Sequence, residues 1–217
     1  MSKPILALNS IRGKSGKDTL IEYIEKEGLK VHRVAFADLL KKEVASTIAH
    51  DRDEALVLEQ IAHGSVKDSP MSQLCISDLP LSGYKSFLVE AATVSHLRPL
   101  SMRWHCQVYG TEFVREHLKK PRHWLDKGLV EILNGQSDPS VDVVVVADMR
   151  LPNEYAELSR LPNCHTVRLV RTWYQEGTDN VPMHVSDYAL MAEPFDALVV
   201  NEWGSPERMF DQIKRFL

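Results

Sequence analysis

The sequence has little cysteine and no arrangement of it. Cys75, Cys106 and Cys164 are the only three, and no two share a paired spacing. An odd, scattered set excludes a disulfide framework and reads as reduced thiols. No apolar run is long enough to span a bilayer, and Met1 is not followed by a basic-then-apolar leader. The expected address is the cytoplasm, with no membrane partner. An excess of positive charge is also missing. The net charge is −4 and the pI about 6.1, which argues against a general nucleic-acid binder. Internal repeats and low-complexity tracts are absent. What remains is a chain of 217 residues, 44% hydrophobic, able to bury a full core as one domain or as one domain carrying an insertion.

Strand-like and helix-like segments alternate at both ends of this chain. Ile5–Asn9 reads as a buried strand, Lys17–Glu27 as a helix stopped by Gly28, and Val31–Phe36 as a second strand. Asp38 is placed to N-cap a helix through the forties. Val141–Ala147 is nearly all valine, the composition of a parallel strand covered on both faces. Pro152–Arg160 reads as a helix, His165–Val170 and Ala197–Val200 as strands, and Pro206–Phe216 as a last helix. The expected fold class is α/β, a parallel sheet with helices on both faces. Between residues 51 and 136 the periodicity is helical with no convincing strand, so residues 1–50 and 137–217 are expected to form the core and 51–136 a helical insertion. The Ser-, Pro- and Gly-rich stretch 68–84 within it reads as a mobile loop of no assigned role.

The run SIRGKSGKDT, residues 10–19, sits between the first strand and the first helix. A phosphate loop points backbone N–H groups at an anion from a helix N-terminus and adds one lysine. Ser15-Gly16-Lys17 has that pattern, and Lys14 lies beside it. Two positions depart from G-x-x-x-x-G-K-[ST]: Ile11 replaces the first glycine, and Asp18 replaces the hydroxyl residue. A carboxylate beside phosphates repels them unless a cation intervenes, so Asp18 points to magnesium, with Thr19 offering the hydroxyl one residue late. A solvated turn with accidental lysines is the bland alternative.

Two further constellations carry charge. On a helix expected over residues 102–118, Arg103, Gln107, Thr111 and Arg115 recur every four residues, a stripe with two arginines and no carboxylate. Gly110 beside it costs about 1 kcal/mol in a helix interior, which suggests close approach by something. Trp124 follows. At the end of the valine strand, Asp148, Arg150 and Glu154 fall where ligands gather in open parallel sheets. There Arg150 is placed to clamp a phosphate, with Glu154 holding it in position.

These motifs together resemble bacteriophage-type deoxynucleoside monophosphate kinases, a branch of the P-loop kinases, and the resemblance runs nearly end to end. SGKDT matches the family loop, including the aspartate after the lysine. FADLLK (36–41) resembles its F-A-x-x-x-K segment, RWHCQVYGTE its R-x-x-x-Q-x-x-G-T stretch, and DMRLPNE its D-x-R-x-x-x-E, while HVSDYAL and VVNEWGS match its closing segments. The resemblance implies a P-loop, nucleoside monophosphate kinase-like fold and transfer of the γ-phosphoryl of ATP to a deoxynucleoside monophosphate. By matching position, Lys14, Ser15, Gly16, Lys17, Asp18 and Thr19 would bind ATP, with Asp18 and Thr19 serving Mg²⁺. Gly13, Phe36, Ala37, Arg103, Gly110, Thr111, Trp124, Asp148, Arg150 and Glu154 would bind the acceptor. Gly13 stands where the family can carry a basic residue, so Arg12 or Lys14 would cover that charge. Lys17, Arg150 and a lid arginine would be the catalytic cations; Arg171, ahead of the loop at Gly177, is the lid candidate and Arg168 the alternative. The family also suggests a homodimer, although the sequence presents no interface. Rival readings are another small-molecule P-loop kinase, acting on phosphomevalonate or dephospho-coenzyme A, and a nucleotide-binding switch without turnover. The switch reading lacks the N-K-x-D motif.

Overall fold

A computed structural model describes residues 2–91, 93–176, 179 and 185–217, with backbone only at 185 and 186. In chain order the regular elements are β1 (Ile5–Ser10), α1 (Lys17–Lys26), β2 (Val31–Val34), α2 (Phe36–Ile48), α3 (Arg52–His63), α4 (Gly83–Ala91), α5 (Met102–Val108), a π-helix (Tyr109–His117), α6 (His123–Ser137), β3 (Val143–Val146), α7 (Pro152–Leu158), β4 (Cys164–Arg171), α8 (Val185–Tyr188), β5 (Ala197–Asn201) and α9 (Pro206–Ile213). The chain divides into two compact units, residues 1–36 with 125–217, and residues 37–124. The helical insertion therefore starts earlier and ends earlier than the sequence suggests, with α2 and α6 crossing its borders. No described helix is long and apolar enough to cross a membrane.

The first unit is the expected α/β core. Its five strands are all parallel, in the order β2-β3-β1-β4-β5. The period-two alternation of strand side chains sorts the core into two layers. Leu6, Leu8, Val143, Val145, Val167, Leu169 and Val199 face Leu20, Ile21 and Ile24 of α1 and Met209 and Ile213 of α9. Ile5, Ala7, Val144 and Val146 face Leu125 and Ile132 of α6 and Leu158 of α7. All four valines of β3 are at most 1% exposed, as a doubly covered strand requires. β1 is buried along its whole length, yet ends in the polar pair Asn9 and Ser10. Those two residues mark the carboxyl edge of the sheet, where the candidate site lies.

β2 stops at Val34 and α2 starts at Phe36, so Asp38 lies inside the first turn of α2 rather than capping it. The cap comes from elsewhere: Asp148 Oδ1 accepts the Phe36 N–H at 2.8 Å.

The helical unit has its own core, which includes Val44, Ile48, Leu58, Leu88, Met102, Tyr109, Phe113 and Trp124. The stretch 68–84 is not a loose loop. It forms two short 3₁₀ turns and the start of α4; Leu74, Cys75, Ile76 and Leu79 are buried in and around the turns and Tyr84 on α4, and Met71 makes an isolated antiparallel bridge to Leu100. Its small and polar residues turn the chain so that those apolar side chains reach the core. The helix expected over 102–118 is α-helical only to Val108 and then widens into the π-helix, as the Leu118 N–H to Phe113 carbonyl bond shows at 2.8 Å. A π turn breaks the every-fourth-residue register, so the Arg103, Gln107, Thr111, Arg115 stripe does not continue as one face.

Candidate functional site

The loop after β1 is strained, and two hydrogen bonds hold Ser15 within it. Lys14 has φ +54° and Gly16 φ +92°, both left-handed. For Lys14 that conformation costs on the order of 1–3 kcal/mol and marks a strained site. Ser15, 3% exposed, donates its hydroxyl to the Arg12 carbonyl at 2.5 Å. Asn201, at the end of β5 and 6% exposed, donates its amide N–H to the Ser15 carbonyl at 3.0 Å. The VVNEWGS match covers Asn201 but gives it no role. Its signal in the sequence is an asparagine ending an apolar strand, which is not distinctive by itself.

Gly16 caps α1 and supplies no side-chain acceptor, so the helix N-terminus presents its first-turn N–H groups without a built-in counter-group at the cap. Lys17 opens the helix and donates to Ser10 Oγ at 2.6 Å. Burial lowers its pKa below the usual lysine value, and repulsion from Arg150 lowers it further; Asp18 and Asp148 pull the other way, and Arg33 adds a smaller repulsion. Lys17, Arg150 and Arg33 thus form a set of cations at one edge of the sheet. Nothing in the sequence singles out Arg33. It lies on edge strand β2, and one of its contacts is Asp18, at 3.5 Å.

Asp148 and Arg150 follow β3, the neighbour of β1. Asn9 connects the two strand ends, donating to the Met149 carbonyl at 2.9 Å and accepting from Arg168 Nε at 3.2 Å. Glu154, 5% exposed, accepts the backbone N–H groups of Arg150 and Leu151 at 2.8 and 3.0 Å. It therefore holds Arg150 through its backbone. The Arg150 guanidinium is half exposed and reaches Asp187 at 3.5 Å.

A cleft of about 540 Å³ opens beside the loop. Lys14 to Thr19 form one wall, and Asn201, Trp203, Gly204, Ser205, Pro206, Met209 and Trp173 form the other.

Several expected site residues have other occupations. The side chain of Arg171 is 5% exposed and forms a two-pronged pair with Asp179 at 2.6 and 2.7 Å. That pairing holds the Asp179 carboxyl down to about 2. The lid candidate is thus engaged within its own segment; Gly177, the expected lid glycine, lies outside the described residues, as does His184 of the HVSDYAL match. The alternative, Arg168, donates to Asn9 and to the carbonyls of Leu190 and Met191. In the helical unit, Arg103 is paired with Asp68, so the stripe does have a carboxylate, supplied by residue 68. Gly110 is close to Leu40: a Cβ there would meet the Leu40 methyls at 3.1 and 3.2 Å. The close approach is core packing. Trp124 is 2% exposed and donates its indole N–H to the Gly110 carbonyl at 3.3 Å, leaving no open face for a base. Thr111 is exposed, and Phe36 is buried in the α/β core.

No protein-family model matches this chain, and no curated protein matches it. Solved structures that do match include the crystal structure of TT1252 from Thermus thermophilus. It has 14% identity and a TM-score of 0.45, over 99% of this chain and 96% of that one.

Proposed function

We propose that this chain is an ATP-dependent phosphotransferase of the P-loop kind, with a deoxynucleoside monophosphate as the acceptor that the sequence resemblance implies. One observation carries the reading: a strained loop ending in left-handed Gly16 sets Lys17 at a helix N-terminus beside a cleft, with Arg150 and Arg33 near enough to depress its pKa. Cations that repel one another at the end of a buried strand are stabilised by a polyanion.

In the proposed reaction an oxygen of the acceptor phosphate attacks the γ-phosphorus of ATP. The bond to the ADP oxygen breaks, and ADP leaves with the electron pair. The acceptor is already anionic, so no strong base is needed, and catalysis is positioning and charge neutralisation. The loop N–H groups and Lys17 take the donor phosphates. Arg150, its backbone fixed by Glu154, takes the acceptor phosphate. Asp148 anchors the start of α2 and balances the local positive charge.

Magnesium suits the donor set. Asp18, with its side chain 79% exposed, and Thr19 offer hard oxygens on the first turn of α1. A magnesium that brings phosphate oxygens needs only one or two protein ligands, and bound there it would neutralise phosphate charge. In such a state the Asp18 carboxylate would exchange its Arg33 contact for the metal.

ADP release with MgATP and a panel of deoxy- and ribonucleoside monophosphates tests the reading. Acceptor-dependent release is expected, with Lys17→Ala lowering kcat by orders of magnitude. Arg150→Ala should raise the acceptor KM by about ten- to 150-fold, the worth of one charge-assisted hydrogen bond. ATP consumption indifferent to every acceptor, or normal turnover in Lys17→Ala, would refute it.

A further inference from the structure

The cleft beside the loop has a second chemistry besides charge. Trp203 follows β5 and is 73% exposed, the most exposed of the large aromatic side chains among the described residues. It does not stand alone. Trp173 meets it edge to face, with ring centroids 5.1 Å apart and an interplanar angle of 86°. This arrangement fixes the Trp203 ring against its neighbour. Both rings line the same cleft as Lys14 to Thr19. Gly204, next to Trp203, has φ +77°, the left-handed conformation that favours glycine in this turn. The Trp173 indole nitrogen is buried without a hydrogen-bond partner. A volume of about 540 Å³ is in the usual range for a small-molecule site.

We propose that Trp203 is the stacking platform for the base of the phosphoryl donor, with Trp173 as its buttress, and that this site accepts purine and pyrimidine triphosphates alike. The proposal rests on the phosphate-loop reading of residues 11–17. An aromatic face is sequence-tolerant because every base has a π-face. Discrimination by base edge would need several fixed donors and acceptors, and on the wall that carries Trp203 the side chains of Gly204, Pro206 and Met209 supply none; Ser205 has one hydroxyl, Asn201 already gives one amide N–H to Ser15, and the Trp173 indole nitrogen is buried. The stacking tryptophan is thus assigned to the donor side, on Trp203, in place of the buried Trp124.

The test is calorimetric titration of the whole protein with ATP, GTP, CTP and inorganic tripolyphosphate, each with Mg²⁺, for wild type, Trp203→Ala, Trp203→Phe and Lys17→Ala. Wild type should bind the three nucleotides within about tenfold of one another. Trp203→Ala should weaken all three by about five- to 150-fold, the measured span for base–aromatic stacking, and leave tripolyphosphate unchanged. Trp203→Phe should recover most of the loss. Nucleotide affinity unchanged in Trp203→Ala, or a wild-type preference for one base well beyond tenfold, would overturn the inference while leaving the loop reading intact. Failure of tripolyphosphate and nucleotides to bind wild type, or equal binding by Lys17→Ala, would overturn the loop reading itself.

Discussion

Gly16→Ala probes the contact on which the loop depends. Two costs follow from the geometry. At φ +92° an alanine is in left-handed space, which costs about 1–2 kcal/mol. Its Cβ would also overlap the Asn201 amide nitrogen, with Asn201 Cγ at 3.2 Å and Met209 Sδ at 3.3 Å. Asn201 must then move, and its bond to the Ser15 carbonyl is lost. A buried acceptor left without its donor costs about 1–3 kcal/mol. The expected total is about 2–5 kcal/mol. Asn201→Ala alone should cost about 1–3 kcal/mol, because it strands the same carbonyl. The double variant should be less destabilised than the sum of the two, since the bond can be lost only once and the overlap is gone. The expected coupling is about 1–3 kcal/mol, within the range for residues in direct contact. Urea unfolding of the four proteins, with slopes compared to confirm a common mechanism, gives the numbers. Strict additivity, or a cost below about 1 kcal/mol for Gly16→Ala, would refute the argument that the end of β5 clamps the loop.

Two other expectations are independent of the proposed activity. His105 is wholly buried; its Nε2 meets the Leu74 carbonyl at 2.9 Å and its Nδ1 the Tyr84 hydroxyl at 3.2 Å, which fits a neutral ring donating from Nε2 and accepting at Nδ1. Burial lowers its pKa from 6.5 to about 4, so the folded state binds fewer protons in that window and stability falls as pH drops from 6.5 towards 4. Unfolding at pH 7 and 4.5 should show wild type losing about 2–3 kcal/mol more than the non-titrating His105→Gln; equal losses would mean that His105 titrates normally. Trp124→Ala should cost about 3–5 kcal/mol by cavity formation, whereas Trp203→Ala, at an exposed ring, should cost less than about 1 kcal/mol. Thermal melting of both variants separates the core tryptophan from the surface one, and the reverse ranking would reject the burial assigned to them.

Local signals made much of the first unit legible. The valine run of β3, the apolar run of β1 and the helix starting at Lys17 are each written in a few consecutive residues, and period and composition suffice to read them. The same holds for the loop, because a left-handed turn before a helix calls for glycine at position 16. Partners were not legible, because they come from distant parts of the chain. The sequence shows Arg103 in a stripe without acid; folding brings residue 68 to it. It shows four tryptophans and cannot rank their exposure. Trp124 is enclosed by the aromatic and aliphatic core of the helical unit, whereas Trp203 is left exposed in the turn after β5. The clamp on Ser15 joins residues 186 positions apart, and it exists because β5 and the β1 loop end at the same edge of the sheet. Sequence alone thus determined the main strands and helices of the first unit and its small-residue loop, each a matter of local backbone preference and side-chain periodicity. Tertiary structure decided which charges are already paired, which rings stay exposed and which side chain holds the loop, since burial and pairing are properties of the packed chain.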